Sequence, residues 1–150
     1  MSHIESDPVF RFLRLMWSVD HGLHRVSKQM SAALGLTGPQ RLAVRMIGRS
    51  PAITAGELSE QMHLDPSTVT GIVRRLQANG MIVRRVDPAD ARRTRLTLTK
   101  RGRALDRRSA GTIEAAVRRA LASVGRADVD AASRVLTELT AQLNRSPRAR

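Results

Sequence analysis

Three observations predict a mostly α-helical protein with one small β-hairpin: a helix-turn-helix followed by a wing, framed by long terminal helices. Helix-start signals crowd together between residues 37 and 66, too close for anything but short helices. Two β-prone runs, Met81–Val86 and Thr94–Thr99, flank the turn-rich DPADARR, and the second run alternates strictly polar against apolar. Apolar residues recur at three- and four-residue steps over residues 8–34 and again beyond Lys100.

The elements follow in order. Pro8 behind Asp7 suits a helix start, and Gly35 suits its end, so residues 8–34 form one long helix. Phe12, Met16, Val19, Leu23, Val26 and Met30 make its apolar stripe; Phe10, Leu13, Trp17, His21 and His24 make a second ridge beside it. Two ridges imply two packing partners, one of them a second subunit. Thr37-Gly38-Pro39-Gln40 is a capping box whose helix carries Leu42, Val44, Met46 and Ile47 and stops near Ser50-Pro51. Thr54-Ala55-Gly56-Glu57 is a second box, and its helix buries Leu58 and Met62. Asp65-Pro66 opens a third helix reaching about Ala78. Joints this short force a compact cluster.

The helix from Pro66 places Val69, Ile72, Val73 and Leu76 on one face. Its other face carries Ser67, Thr70, Gly71 and Arg74, with Thr68 and Arg75 at the flanks. Small polar residues near a positive helix N-terminus, then arginines one turn on, are the layout a major-groove helix needs. Asn79-Gly80 ends the helix, and the hairpin after it has an arginine-loaded tip. An isolated hairpin is marginal, so Leu96 and Leu98 are expected to pin it to the helices. Leu105, Ile113, Val117 and Leu121 mark one long helix; after Gly125, with Asp128 as its start, Val129 to Leu143 marks another. Ala115, Ala116, Ala120, Ala131 and Ala132 permit close helix approach, and the tail at 146–150, SPRAR, is expected to fray.

Composition narrows the function. The 150 residues fit one domain with a real core. Lys and Arg number 26 against 13 acids, a formal net charge of +13. Self-repulsion of that size does nothing for folding, so a polyanionic partner is the economical explanation. From Arg74 to Arg103 ten basic residues face two acids, Asp87 and Asp90, which concentrates +8 of the charge in one segment. The chain has no cysteine, which excludes disulfides, thiolate sensing and Cys-ligated metal. No basic-then-apolar leader opens the sequence, and no apolar run reaches the ~20 residues a membrane span needs, so a soluble cytoplasmic protein is expected. No Ser-His-Asp ordering, Gly-rich phosphate loop or carboxylate cluster suggests an enzyme.

Asp90-Ala91-Arg92, then Leu98-Thr99 and Gly102, resembles the Asp-x-Arg…Leu-Thr…Gly signature of the multiple-antibiotic-resistance regulator (MarR) family. LGLTGPQ at 34–40 is similar to that family's link between its first two helices, and TAGELSEQMHLDPSTVTGIVRRLQANGMIVRR to its helix-turn-helix and first wing strand. The resemblance implies a homodimer, with 1–36 and 104–150 forming the dimerisation region and 37–103 the DNA-binding lobe. It implies that Asp90 positions Arg92 by a salt bridge, and that a small aromatic or anionic effector releases the DNA. The family's zinc sensors carry histidines late in the chain; none follows His63 here.

The expected site residues are therefore Ser67, Thr70 and Arg74 at base edges or adjacent phosphates, Thr68 and Arg75 on the backbone, and Arg92, Arg93 and Arg95 in the wing. Arg84 and Arg85 belong to the hairpin edge. Trp17, His21 and His24 with Arg45 from the second helix are candidates for an effector site; a core tryptophan with exposed histidines is the plainer reading. His21 and His24 lack a third ligand, so no metal is expected, nor any other cofactor. The competing class is a sequence-neutral architectural DNA-binding protein.

Overall fold

The structure, a computed structural model, describes residues 7–145. Its first helix, α1 (Pro8–Leu34), starts where Asp7 accepts the Val9 amide at 2.8 Å and ends at Gly35, whose φ of 70° is the left-handed conformation glycine tolerates best. Of the predicted stripe only Met30 is fully buried; Phe12, Val19 and Leu23 stay exposed. The C-terminal end of α1 is what meets the rest of the lobe, for instance where Ser27 Oγ accepts the Gly38 amide at 2.7 Å.

Both capping boxes form. Gln40 accepts the Thr37 amide at 3.1 Å to open α2 (Gly38–Arg49). Glu57 and Thr54 exchange hydrogen bonds of 2.8 and 3.2 Å to open α3 (Ala55–Met62). Asp65 accepts the Ser67 amide at 2.9 Å and starts α4 (Pro66–Ala78). His63 holds the joint between α3 and α4 with φ 52°, its amide bonded back to Glu60 and Ser59. On α2, Leu42 is 45% exposed, and its neighbour Ala43 is the core residue. The buried face of α2 runs through 40, 41, 43, 44 and 47, so Leu42 lies just off it.

The hairpin is β1 (Ile82–Asp87) paired antiparallel with β2 (Asp90–Leu98), Ile82 opposite Leu98 and Asp87 opposite Asp90. The expected seven-residue linker is in fact a two-residue turn, Pro88-Ala89: Asp90 already pairs with Asp87, and Ala91, Arg92 and Arg93 bulge out of register before pairing resumes at Thr94 opposite Val86. Leu96 and Leu98 are buried as expected, joining Ile53, Leu58, Val69, Val73 and Leu76 in one core. The Leu96 amide donates to Ile53 O at 2.8 Å, and Thr54 bridges Arg95, so the segment before α3 adds a short third rung to the wing.

The single long helix expected after Lys100 is two helices. α5 (Lys100–Arg107) begins at Thr99, which caps Gly102 and donates its hydroxyl to Gly80 O at 2.7 Å. After a break at 108–112 comes α6 (Ile113–Ala122). Gly111 takes φ 72° there and the Thr112 hydroxyl donates to Ser109 O, both turn features. Leu105 and Ile113 are eight residues apart, in phase for one helix, so periodicity could not see the interruption. Last is α7 (Arg126–Arg145), two residues earlier than the Asp128 signal suggested. The chain divides into two compact units, Met1–Ile113 and Glu114–Arg150. The first holds the core; in the second no residue of α7 is fully buried. The tail at 146–150 lies outside the described residues.

Candidate nucleic-acid interface

The α4 helix turns two chemistries to its two sides. Val69, Ile72, Val73 and Leu76 are buried in the lobe, while Ser67, Thr68, Thr70, Arg74 and Arg75 are all exposed. Pro66, the Asp65 cap and the αL joint at His63 fix where the helix starts, and hence which residues its first turn presents. Ser67 Oγ donates to Asp65 at 2.7 Å and Thr70 Oγ1 donates to Pro66 O at 2.8 Å. Both protons are engaged within the chain, which leaves each hydroxyl oxygen its acceptor lone pairs. Gly71, between them, has no atom within 4 Å of where a Cβ would stand. The face is polar, open and shallow, with two cations one turn further on.

In the wing the three expected arginines have different partners. The Arg92 side chain is exposed and makes no ion pair among the described residues. Asp90 does orient this residue, but through the backbone: its Oδ1 accepts the Arg92 amide at 3.0 Å, in place of the expected salt bridge. Arg93 reaches across to α3, its Nη2 lying 2.6 Å from Glu57 Oε1. Arg95 pairs at 2.6 Å with Asp87, which is 6% exposed on the neighbouring strand. Arg84 and Arg85 are exposed on β1.

Both carboxyls are held below their ordinary values. For Glu57 the chief cause is the Thr54 amide, with the Thr54 hydroxyl and Arg93 adding to it. For Asp87 it is the Ala89 amide, then Arg95. Sequence reasoning read Glu57 only as a helix cap and gave Asp87 no role; the alternation of β2, which puts Arg93 and Arg95 on one face, was the available signal. The Glu57–Arg93 pair borders an open cavity of about 290 Å³ whose other lining residues are Ser50, Pro51, Ala52, Ile53 and Gln61.

The expected effector residues stand differently. Trp17 is 68% exposed, so it is not core; His21 is exposed, and His24 hydrogen-bonds Asp20 on its own helix. Arg45 is turned to α5, donating at 2.8 Å to both the carboxylate and the carbonyl of Asp106. Beside it Arg41, 1% exposed, donates to the carbonyls of Leu105, Asp106 and Arg108. These two arginines close the C-terminus of α5, a role the sequence did not reveal. Among the described residues no three His, Asp or Glu side chains are placed to hold a metal, and no helix is long and apolar enough to cross a membrane.

Comparison with known proteins agrees with this geometry. A sequence profile of the MarR family matches residues 34–93. The HTH-type transcriptional repressor Rv2887 of Mycobacterium tuberculosis is 35% identical over 97 residues, covering 63% of this chain and 70% of that protein. Two solved structures share the fold: the S. aureus MepR–DNA complex (TM-score 0.71, 18% identity, 88% of this chain and 97% of that one) and CouR from Rhodococcus jostii RHA1 bound to p-coumaroyl-CoA (0.72, 21%, 100% of both). With its exposed α4 face, its basic wing and a repressor relative aligned over more than two thirds of its length, this chain belongs to the MarR family of DNA-binding transcriptional regulators.

Proposed function

We propose that the protein is a cytoplasmic homodimeric repressor of nearby genes, with α4 reading the major groove of each half of a pseudo-palindromic operator. The observation that carries this reading is the α4 face itself: five exposed polar or basic residues around an unobstructed glycine, backed by a helix side fully committed to the core. Residues 37–103 form the DNA-binding lobe, and 1–36 with 104–150 hold the two copies together. Ser67, Thr70 and Arg74 face base edges or the phosphates next to them, Thr68 and Arg75 the backbone. Arg92 is the wing residue that enters the minor groove, where a narrow groove deepens the negative potential. Half-sites lie about one helical turn apart. Repression agrees with the name of the M. tuberculosis relative.

Release by a small aromatic or anionic molecule is part of the proposal, and CouR, solved with an aromatic acyl-CoA, supports that class of ligand. The exposed Trp17, beside His21 and His24 on α1, is the natural reporter for an effector titration.

The test is binding to the protein's own upstream DNA and to unrelated duplex across a salt series. A preference of about 10³ or more, with two protected half-sites, is expected for a specific regulator. About six phosphate contacts predict a slope near −5 in log K against log salt, and Arg74→Ala should flatten it by about one. Equal affinity for both duplexes would instead favour the sequence-neutral architectural reading.

A further inference from the structure

Glu57 uses its two carboxylate oxygens on two different tasks. Oε2 accepts the Thr54 amide at 2.8 Å and holds the start of α3; Oε1 takes the Arg93 guanidinium at 2.6 Å. The first bond anchors the carboxylate to the helix backbone, so it cannot follow Arg93 elsewhere. The wing cannot drift away either, because the Leu96 amide is bonded to Ile53 O and Thr54 bridges Arg95, two residues from Arg93. Arg93 therefore reaches a phosphate only by rotating its own side chain off a fixed anion. Arg92, exposed beside it in the same out-of-register stretch of β2, has no such anion.

We propose that Glu57 limits the protein's affinity for DNA by withholding Arg93 from the phosphate backbone. The proposal rests on the reading that the wing faces DNA. It gives this strongly basic chain a brake on sequence-neutral binding: phosphate contacts set affinity and carry no sequence information, so the brake acts alike on operator and random duplex. The pair is about half exposed on both sides, 47% for Arg93 and 43% for Glu57, so it is weak and screened by salt. It is a contact that can be given up.

Glu57→Gln is the decisive variant, because glutamine serves equally well at this capping-box position while removing the charge. Thermal melting should confirm an unchanged fold. In filter or anisotropy binding, Glu57→Gln should tighten operator and unrelated duplex by the same factor, roughly fivefold at 0.1 M salt, and steepen the salt slope by about 0.9, as one added phosphate contact requires. Arg93→Ala should leave wild-type binding within about twofold, yet cancel the whole gain in the Glu57→Gln background. Unchanged or weaker binding by Glu57→Gln overturns the proposal, and so does an equal loss from Arg93→Ala in both backgrounds. Arg92→Ala separates the two levels. If it flattens the slope while Glu57→Gln is silent, the wing faces DNA and only the brake is wrong; if both are silent, the wing reading falls with it.

Discussion

Gly71 and Gly102 show that the same residue type answers to opposite demands. A Cβ on Gly102 would stand 2.1 Å from the Met81 carbonyl oxygen, so packing requires glycine there. A Cβ on Gly71 would meet nothing. Gly71 also has no left-handed φ to justify it, and a glycine inside a helix is destabilising by roughly 0.5–1 kcal/mol relative to alanine. Folding alone therefore argues for alanine at 71, and close approach of the α4 backbone to DNA argues against it. Gly71→Ala should raise stability by about 0.5–1 kcal/mol in urea melts and weaken operator binding in the same preparation. A stabilised variant that binds as tightly as wild type would show that the α4 backbone does not approach the duplex at this point.

Among the elements, α5 shows where sequence legibility ended. The starts of α1 to α4 were readable because caps are local chemistry: Asp7, Thr37, Thr54 and Asp65 each sit within three residues of the amides they serve. The outward face of α4 was readable for a similar reason, since one helix's periodicity determines it. What closes α5 is not local. Its terminal carbonyls are taken by Arg41 and Arg45, more than sixty residues earlier, and an arginine on the inner face of α2 gives no sign of its partner. The choice of Glu57 as the partner of Arg93 was hidden likewise, because the two lie 36 residues apart. Losing Arg41 removes a donor from the part-buried carbonyls of Leu105, Asp106 and Arg108 in addition to vacating a core position. Arg41→Ala should lower unfolding free energy by about 3 kcal/mol, and Arg41→Met, which refills the space without the donors, should recover only part of it. Full recovery by methionine would mean the guanidinium bonds contribute little beyond packing.

For the whole molecule the open question is what covers α1. Val9, Leu15, Trp17 and Val19 are 59–68% exposed, with Phe10, Phe12, Leu13 and Leu23 around them, and soluble monomers rarely leave so continuous an apolar surface bare. On α7, Val135, Leu136 and Leu143 are exposed too. A second copy of the chain would bury such surfaces symmetrically, and a two-fold dimer is also what the proposed pseudo-palindromic operator would demand, with one half-site to each lobe. Leu15→Glu tests both at once. The side chain is 59% exposed, so a carboxylate there does little to the isolated fold, but buried against a partner it would be an unpaired charge. Sedimentation velocity should show a wild-type dimer and a variant shifted toward monomer. The variant should keep weak binding to a single half-site while losing the tight binding to the full operator. If Leu15→Glu sediments and binds as the wild type does, α1 is not the subunit interface, and the assembly must be built from another surface.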